Sequence, residues 1–243
     1  MTSLSKVYIV PVLFLSLTRC FAQNEFITAG SFNIYSENNR LVVKDSLGSS
    51  VLDKKFISPI FWSTDLDSDG IDELLVTDSL SSDGFPEYYL YLFTAVDSFS
   101  LVDSVCSGML IPYHTYSDET ECILLITGKK EFNKYIVNHN FEVLPLDCWK
   151  YENDLLFKVN DEVYEIFITE NDWILNVISK YFESNVKNCF HSNQIKSLIV
   201  SAYINYMSAE EYSMAGQLLS QFYHCDDLSQ FKEELENILR NQQ

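Results

Sequence analysis

The sequence is poor in glycine and, over one long stretch, contains no positive charge. Seven glycines among 243 residues provide neither a glycine-rich phosphate loop nor a Gly-x-Ser-x-Gly nucleophile elbow. No Lys or Arg occurs from Phe56 to Gly128, whereas thirteen Asp and Glu residues do. Together with a formal net charge of −19, this disfavours nucleic acid and anionic lipid as partners and favours cations or a basic protein. For acidic residues outside the segment 65–73, solubility alone is the simpler interpretation.

No catalytic constellation is evident either. His114 and His139 have no nucleophile near them in the sequence, and the pair Asp118 and Glu119 cannot be told from ordinary surface acids. We therefore expect a protein without catalytic activity. An exported hydrolase with a structural calcium ion is kept as an alternative.

Residues 1–22 have the composition of a secretory signal. Lys6 supplies a positive charge, residues 7–17 are apolar, and Cys20-Phe21-Ala22 offers small residues for cleavage before Gln23. The apolar run is too short to span a bilayer, and no later stretch reaches that length. A lipid anchor on Cys20 is disfavoured, because Arg19 stands where a small residue is usual. The expectation is an exported protein, either periplasmic, on the cell surface or secreted.

The segment Asp65 to Glu73, of sequence DLDSDGIDE, has the spacing of a calcium loop. Carboxylates at alternate positions converge on a cation when the backbone curls, and Gly70 permits the sharp turn. The predicted ligands are the side chains of Asp65, Asp67, Asp69 and Glu73, together with the main-chain carbonyl of Ile71. A solvated acidic turn without metal is the alternative.

The loop is not an EF-hand, because its twelfth residue is Val76 and not a bidentate Glu. It resembles the calcium loops of the integrin-like FG-GAP and VCBS repeat families, whose pattern Asp-x-Asp/Asn-x-Asp-Gly-x-x-Asp-Leu is matched by Asp65, Asp67, Asp69, Gly70 and Leu74. Glu73 replaces the last Asp of that pattern. The resemblance covers about a dozen residues, and the loop occurs once, so a complete propeller is not expected.

Cys106, Cys122, Cys148, Cys189 and Cys225 follow the signal segment. The pairings Cys106–Cys122 and Cys189–Cys225 respect the apparent domain division and leave Cys148 free, although sequence does not determine connectivity. Buried thiols are an alternative for several of them. Zinc at Cys189, His191, His224 and Cys225 is disfavoured, because the spacing lacks a finger pattern.

The fold class expected is α+β, with a β-rich region at residues 23–170 and an α-helical region at residues 171–243. Alternating apolar residues predict a hairpin turning at Glu37–Arg40, strands on both sides of the acidic loop, a polar loop at Ser79–Pro86 and an aromatic strand at Tyr88–Phe93. Further strands are predicted at residues 122–127, 135–137, 141–144, 155–159 and 163–169, the last two as a hairpin turning at Asn160–Asp161.

Three- and four-residue spacing of apolar side chains predicts a bundle of three or four helices after residue 170. Asn171 or Asp172 is expected to cap the first helix, and Ser208 to Glu211 reads as a capping box. A single tetratricopeptide-like unit is a weak alternative to a plain bundle.

The function expected is that of an exported, non-catalytic calcium-binding protein that acts as an interaction or structural module. The alternative is a periplasmic inhibitor or immunity protein against a basic lytic enzyme, which an acidic chain would attract electrostatically. Oligomeric state cannot be derived from the sequence.

Overall fold

The computed structural model describes residues 26–82, 85–96, 98–136 and 141–241. The predicted signal segment, Cys20 and His139 lie outside the described residues. Within them, twelve strands precede five α-helices, which confirms the α+β class with a β-rich first part. No helix of the described residues is both long enough and apolar enough to cross a membrane.

The strands of the described residues form three antiparallel sheets, each a meander of four strands that follow one another along the chain. Sheet A contains β1 (Phe26–Ala29), β2 (Phe32–Glu37), β3 (Arg40–Lys44) and β4 (Ser50–Lys55). Sheet B contains β5 (Ile60–Thr64), β6 (Glu73–Ser82), β7 (Phe85–Thr94) and β8 (Ser100–Gly108). Sheet C contains β9 (Tyr113–Ser117), β10 (Cys122–Gly128), β11 (Leu146–Glu152) and β12 (Leu155–Lys158).

Apolar residues on alternate strand positions pack the three sheets in succession. The A–B core contains Phe32, Ile34, Leu41 and Val43 of sheet A, with Phe61, Leu74, Val76 and Phe93 of sheet B. The B–C core consists of Trp62, Leu66, Leu75, Leu90, Leu92, Leu125 and Tyr151. Because successive side chains on a strand point to opposite faces, sheet B is buried on both sides. Four-stranded meanders also build propeller blades, but the three sheets described here do not close into a ring.

The predicted loop at Ser79–Pro86 is wrong over most of its length. β6 continues to Ser82 and β7 begins at Phe85, with Ser79 opposite Tyr88 and Ser81 opposite Pro86. The serines of this segment favour a loop, but β7 pairs with them and supplies the backbone hydrogen bonds that keep them extended. The predicted hairpin turn at Glu37–Arg40 is confirmed, with φ of 50° at Asn38 and 62° at Asn39.

Other strand predictions fail near the end of the β-rich part. Lys130–Tyr135 is a 3₁₀-helix, Val137 lies outside the described residues, and 141–144 has no regular structure. The hairpin of β11 and β12 turns at Asn153–Asp154 and not at Asn160–Asp161, which belong to a 3₁₀ turn. The predicted strand 163–169 is wrong, because α1 begins at Tyr164.

The helices are α1 (Tyr164–Ser184), α2 (Cys189–Gln194), α3 (Lys196–Ser208), α4 (Tyr212–Phe222) and α5 (Leu228–Arg240). The predicted boundary after residue 170 therefore falls inside α1. Buried residues of α1 at helical spacing begin with Phe167, which packs on sheet C beside Leu124 and Cys148. Contact with this sheet, not a local signal, fixes where α1 begins.

Both predicted helix caps are wrong. Asn171 and Asp172 lie inside α1, where Asn171 is fully buried and donates a 3.0 Å hydrogen bond to the Ala202 carbonyl oxygen. Ser208 is the last residue of α3, and Glu211 precedes α4 without a side-chain cap. A tight α3–α4 connection, with φ of 59° at Glu210, takes the place of the capping box.

One of the two expected disulfides is present. Cys189, at the start of α2, is bonded to Cys225 between α4 and α5. Cys106, Cys122 and Cys148 are free thiols, so the expected Cys106–Cys122 pair is wrong and Cys148 is free as expected. Cys106 lies on β8 and Cys122 on β10, in different sheets.

Candidate metal site

The acidic loop connects β5 to β6 and curls through hydrogen bonds between its own carboxylates and amides. Asp65 accepts the N–H groups of Asp69 at 3.1 Å and Gly70 at 3.0 Å. Positive φ values of 64° at Ser68 and 88° at Gly70 complete the reversal. Asp and Ser tolerate such turns and Gly favours them, so this local geometry follows from the sequence.

Three of the predicted ligands converge. Asp65, Asp67 and Glu73 each offer one carboxylate oxygen, and these oxygens lie within 4.8 Å of one another. Two oxygens that bind one calcium ion at about 2.4 Å can be no more than about 4.8 Å apart, so the cluster is compatible with shared coordination. These three acidic residues can hold a metal ion.

Glu73 is the unusual member of this cluster, because it is fully buried. Its Oε2 atom accepts the Leu66 N–H at 2.9 Å, while its Oε1 atom is buried and has no hydrogen-bond partner. Burial, partly offset by that hydrogen bond and reinforced by the charges of the neighbouring aspartates, raises the pKa of Glu73 to about 8. A buried acceptor without a partner is costly, and a cation beside it would remove that cost.

Asp67 is affected in the same direction. Burial, and next the charge of Asp69, raise the pKa of the Asp67 carboxyl above its ordinary value. Repulsion of this kind is expected where several carboxylates share a small volume, and a divalent cation at the centre relieves it.

The other two predicted ligands are placed differently. Asp69 is outside the three-carboxylate cluster, and its Oδ1 atom accepts the Ile71 N–H at 2.7 Å. The Ile71 side chain packs against the A–B core. Ligation by the Ile71 carbonyl stays a prediction. Asp72, which was not predicted as a ligand, accepts a 3.0 Å hydrogen bond from the Ser63 hydroxyl.

No protein-family description, curated protein or solved structure matches this chain significantly. The likeness of residues 65–74 to FG-GAP and VCBS loops therefore stays an expectation drawn from the residues themselves.

Sequence reasoning missed Leu66, which lies between two predicted ligands. It is 1% exposed and belongs to the B–C core, so it anchors the loop between two sheets. The sequence does contain a signal for this, because Leu66 is the one large apolar residue between Asp65 and Gly70. A leucine in an otherwise polar turn indicates that its side chain is buried.

A second polar cluster lies where sheet C meets the helices. Asp147 accepts hydrogen bonds from the Lys129 ammonium group, from Lys158 at 2.9 Å and from Asn160 at 2.8 Å. An adjoining cleft of about 720 Å³ is lined in part by Lys129, Lys158 and Arg240. Because Asp147 already satisfies both lysines, this cluster is a structural ion network.

Two of the four residues weighed as zinc ligands are not available to a metal. Cys189 and Cys225 are bonded to each other and so are not thiolate ligands. His191 Nδ1 lies 2.9 Å from the Tyr181 hydroxyl. The His114 ring packs beside that of Trp62.

Proposed function

We propose that this protein is an exported, non-catalytic calcium-binding module that stabilises its sheet B with one ion and presents an acidic surface to a protein partner. The observation that carries the metal assignment is Glu73, which clusters with Asp65 and Asp67 and whose buried Oε1 atom has no hydrogen-bond partner. An oxygen-only set of carboxylates suits calcium better than zinc or copper, which favour nitrogen and sulfur ligands.

Export is supported by the pattern of residues 1–22 and by the Cys189–Cys225 bond, since disulfides persist mainly in oxidising compartments. A protein partner with a basic surface is supported by the net charge of −19 and by the absence of Lys and Arg between Phe56 and Gly128.

The metal assignment is tested by titrating calcium chloride into chelator-treated protein in a calorimeter, with the melting temperature measured in parallel. Binding heat and a higher melting temperature are expected for the wild type. Asp67→Asn and Glu73→Gln should each weaken binding by at least about tenfold, because each removes a charged ligand.

Asp72→Asn is the matched control, since Asp72 lies in the same loop but outside the cluster. It should bind calcium with nearly wild-type affinity. If millimolar calcium gives neither heat nor a change in melting temperature with the wild type, the protein is not a calcium-binding module. Magnesium in place of calcium checks selectivity, because it demands a smaller octahedral site.

The second candidate function is inhibition of a basic lytic enzyme. It is favoured by the charge of the chain, because long-range attraction accelerates association with a positively charged target. Binding to basic muramidases would be measured at low and high salt, with an equally acidic unrelated protein as the control. Specific binding that weakens with salt supports this function, and equal binding by the control contradicts it.

A further inference from the structure

The three clustered carboxylates are oriented by hydrogen bonds of two kinds. Asp65 and Asp67 both accept the amide of Asp69, at 3.1 and 3.3 Å, in hydrogen bonds that are exposed. Glu73 differs from them, because its Oε2 atom accepts the Leu66 amide in a hydrogen bond that is buried. The orientation of the Glu73 carboxylate therefore depends on where the main chain at Leu66 lies.

The main chain at Leu66 is held in turn by its own side chain. Leu66 is 1% exposed and belongs to the B–C core, together with Trp62 and Leu75 of sheet B and Leu125 of sheet C. Because protein interiors are close-packed, a buried leucine has few positions open to it. The packing of two sheets thereby fixes the amide that Glu73 accepts.

Glu73 lies on the same side of sheet B as this core. It begins β6, and Leu75, two positions further along that strand, is part of the B–C core. Since alternate residues of a strand share a face, the Glu73 side chain also turns to the B–C side, where it is fully buried. Its two oxygens belong to one rigid carboxylate, so the bond from Leu66 to Oε2 also sets the position of the unpartnered Oε1.

We propose that Leu66 is a positioning residue of the cation site, because its buried side chain places the amide that orients Glu73 and because it stands between the ligands Asp65 and Asp67. This inference rests on the proposed calcium binding. It adds that affinity for the ion depends on the packing between sheets B and C, at a residue outside the predicted ligand set. Removing a group that orients a metal ligand typically weakens metal affinity about tenfold or more.

The test measures calcium affinity by calorimetry, together with the melting temperature, in variants of Leu66 and Leu90. Leu90 is the matched control, because it is also a leucine of the B–C core with 1% exposure, and it pairs with Thr77, four positions along β6 from Glu73. Leu66→Ala and Leu90→Ala should both lower the melting temperature, since each leaves a cavity. Only Leu66→Ala should also weaken calcium binding, by about tenfold or more.

Further variants separate positioning from a loss of stability. Leu66→Met nearly keeps the volume of the side chain and should restore an affinity close to that of the wild type. Leu66→Val, which removes one methylene group, should bind calcium less tightly than Leu90→Val. Calcium should slow amide hydrogen exchange at residue 66 in the wild type and in Leu90→Ala, and should slow it less in Leu66→Ala.

Three outcomes decide the inference. Calcium binding by Leu66→Ala that is as tight as in the wild type, or that is weakened no more than in Leu90→Ala, overturns it and leaves calcium binding standing. If the alanine variants do not fold, the same comparison between Leu66→Val and Leu90→Val decides in their place. No calcium binding by the wild type overturns both proposals.

Discussion

At the scale of single residues, buried carboxylates have different partners and therefore different consequences. Asp78 is 5% exposed and accepts backbone N–H groups, whereas Asp147 is 7% exposed and is paired with two lysines. Glu73 has one amide partner and one unpartnered oxygen. Of these three carboxylates, only Glu73 has a buried oxygen without a hydrogen-bond or ionic partner, and a bound cation would supply that partner.

Asp78→Ala should lower the free energy of unfolding by about 2–4 kcal/mol, measured by urea denaturation. The carboxylate of Asp78 accepts the amides of Ile57 at 3.0 Å and Ser58 at 2.8 Å, and alanine would leave both without this partner. Asp45→Ala is the control, because Asp45 also accepts two amides, those of Leu47 and Ser49, but these hydrogen bonds are exposed, whereas those of the buried Asp78 are partly buried. A cost no larger than that of the control would contradict the prediction.

Asp147 gives a prediction for acid stability. Burial raises the pKa of its carboxyl, but the ammonium groups of Lys129 and Lys158 more than offset this and hold the pKa below its ordinary value of 3.8. The stabilisation is complete above the unfolded-state pKa and is lost as the pH falls through the lower folded-state pKa. The free energy of unfolding should therefore decrease as the pH is lowered from about 5 to 3.

In Asp147→Asn this acid-dependent loss should be smaller. At pH 7 the variant should be less stable by about 3–5 kcal/mol, because Lys129 is buried and would keep an uncompensated charge. Asp53→Asn is the control, since its pair with Arg40 is about half exposed and should matter little. If the free energy of unfolding of Asp147→Asn falls with pH as steeply as that of the wild type, groups other than Asp147 cause the loss of stability in acid.

At the scale of elements, the helices are held by contacts between segments distant in the sequence. Asn205 of α3 donates to Asn171 of α1 at 3.2 Å and accepts the Leu146 amide of β11 at 3.0 Å. The Cys189–Cys225 bond joins α2 to the segment that precedes α5. Such links fix helices whose own ends lack side-chain caps, as at α1 and α4.

Replacing Cys189 and Cys225 together by serine should lower the free energy of unfolding by about 3–4 kcal/mol, from the loop entropy of the closed segment. The two residues are 36 positions apart. Calorimetric melting checks the stability, and alkylation without reductant should leave this pair unmodified in the wild type. Cys122→Ser is the control, because Cys122 is a free thiol. Recovery of Cys189 or Cys225 in alkylated form would contradict the pairing.

At the scale of the whole molecule, charge is distributed unevenly over the sheets. The described part of sheet A carries Arg40, Lys44, Lys54 and Lys55, whereas sheet B has no Lys or Arg. The loop of sheet B also carries the cluster of Asp65, Asp67 and Glu73, whose like charges repel one another. A cation in the loop is one source of compensation, and screening by salt is another.

Sodium chloride should therefore stabilise the cation-free protein. Raising its concentration from about 20 to 500 mM in the presence of chelator should increase the melting temperature by about 2–6 °C. Asp67→Asn removes one of the repelling charges and should show a smaller increase. A melting temperature that stays constant or falls would mean that repulsion does not limit stability.

The sequence predicts the acidic loop well and the later strands poorly, for physical reasons. Residues such as Ser68 and Gly70 determine a turn through their own backbone preferences. β4 was not predicted, because its side chains are largely exposed and its strand form depends on pairing with β3. The β-branched residues of the segment 163–169 predict a strand, yet residues 164–169 belong to α1, whose Phe167 packs on sheet C.

By itself, the sequence determined the α+β class, the turn at the acidic loop with its alternating carboxylates, and the strongly negative net charge. Those properties depend on composition and on residues within a few positions of one another. Only the tertiary structure decided that Glu73 is buried with one oxygen unpartnered, that Cys189 pairs with Cys225, and that Leu66 of the acidic loop shares the B–C core with Tyr151. These facts depend on packing between segments far apart in the chain, because burial and pairing are set by neighbours that local sequence does not specify.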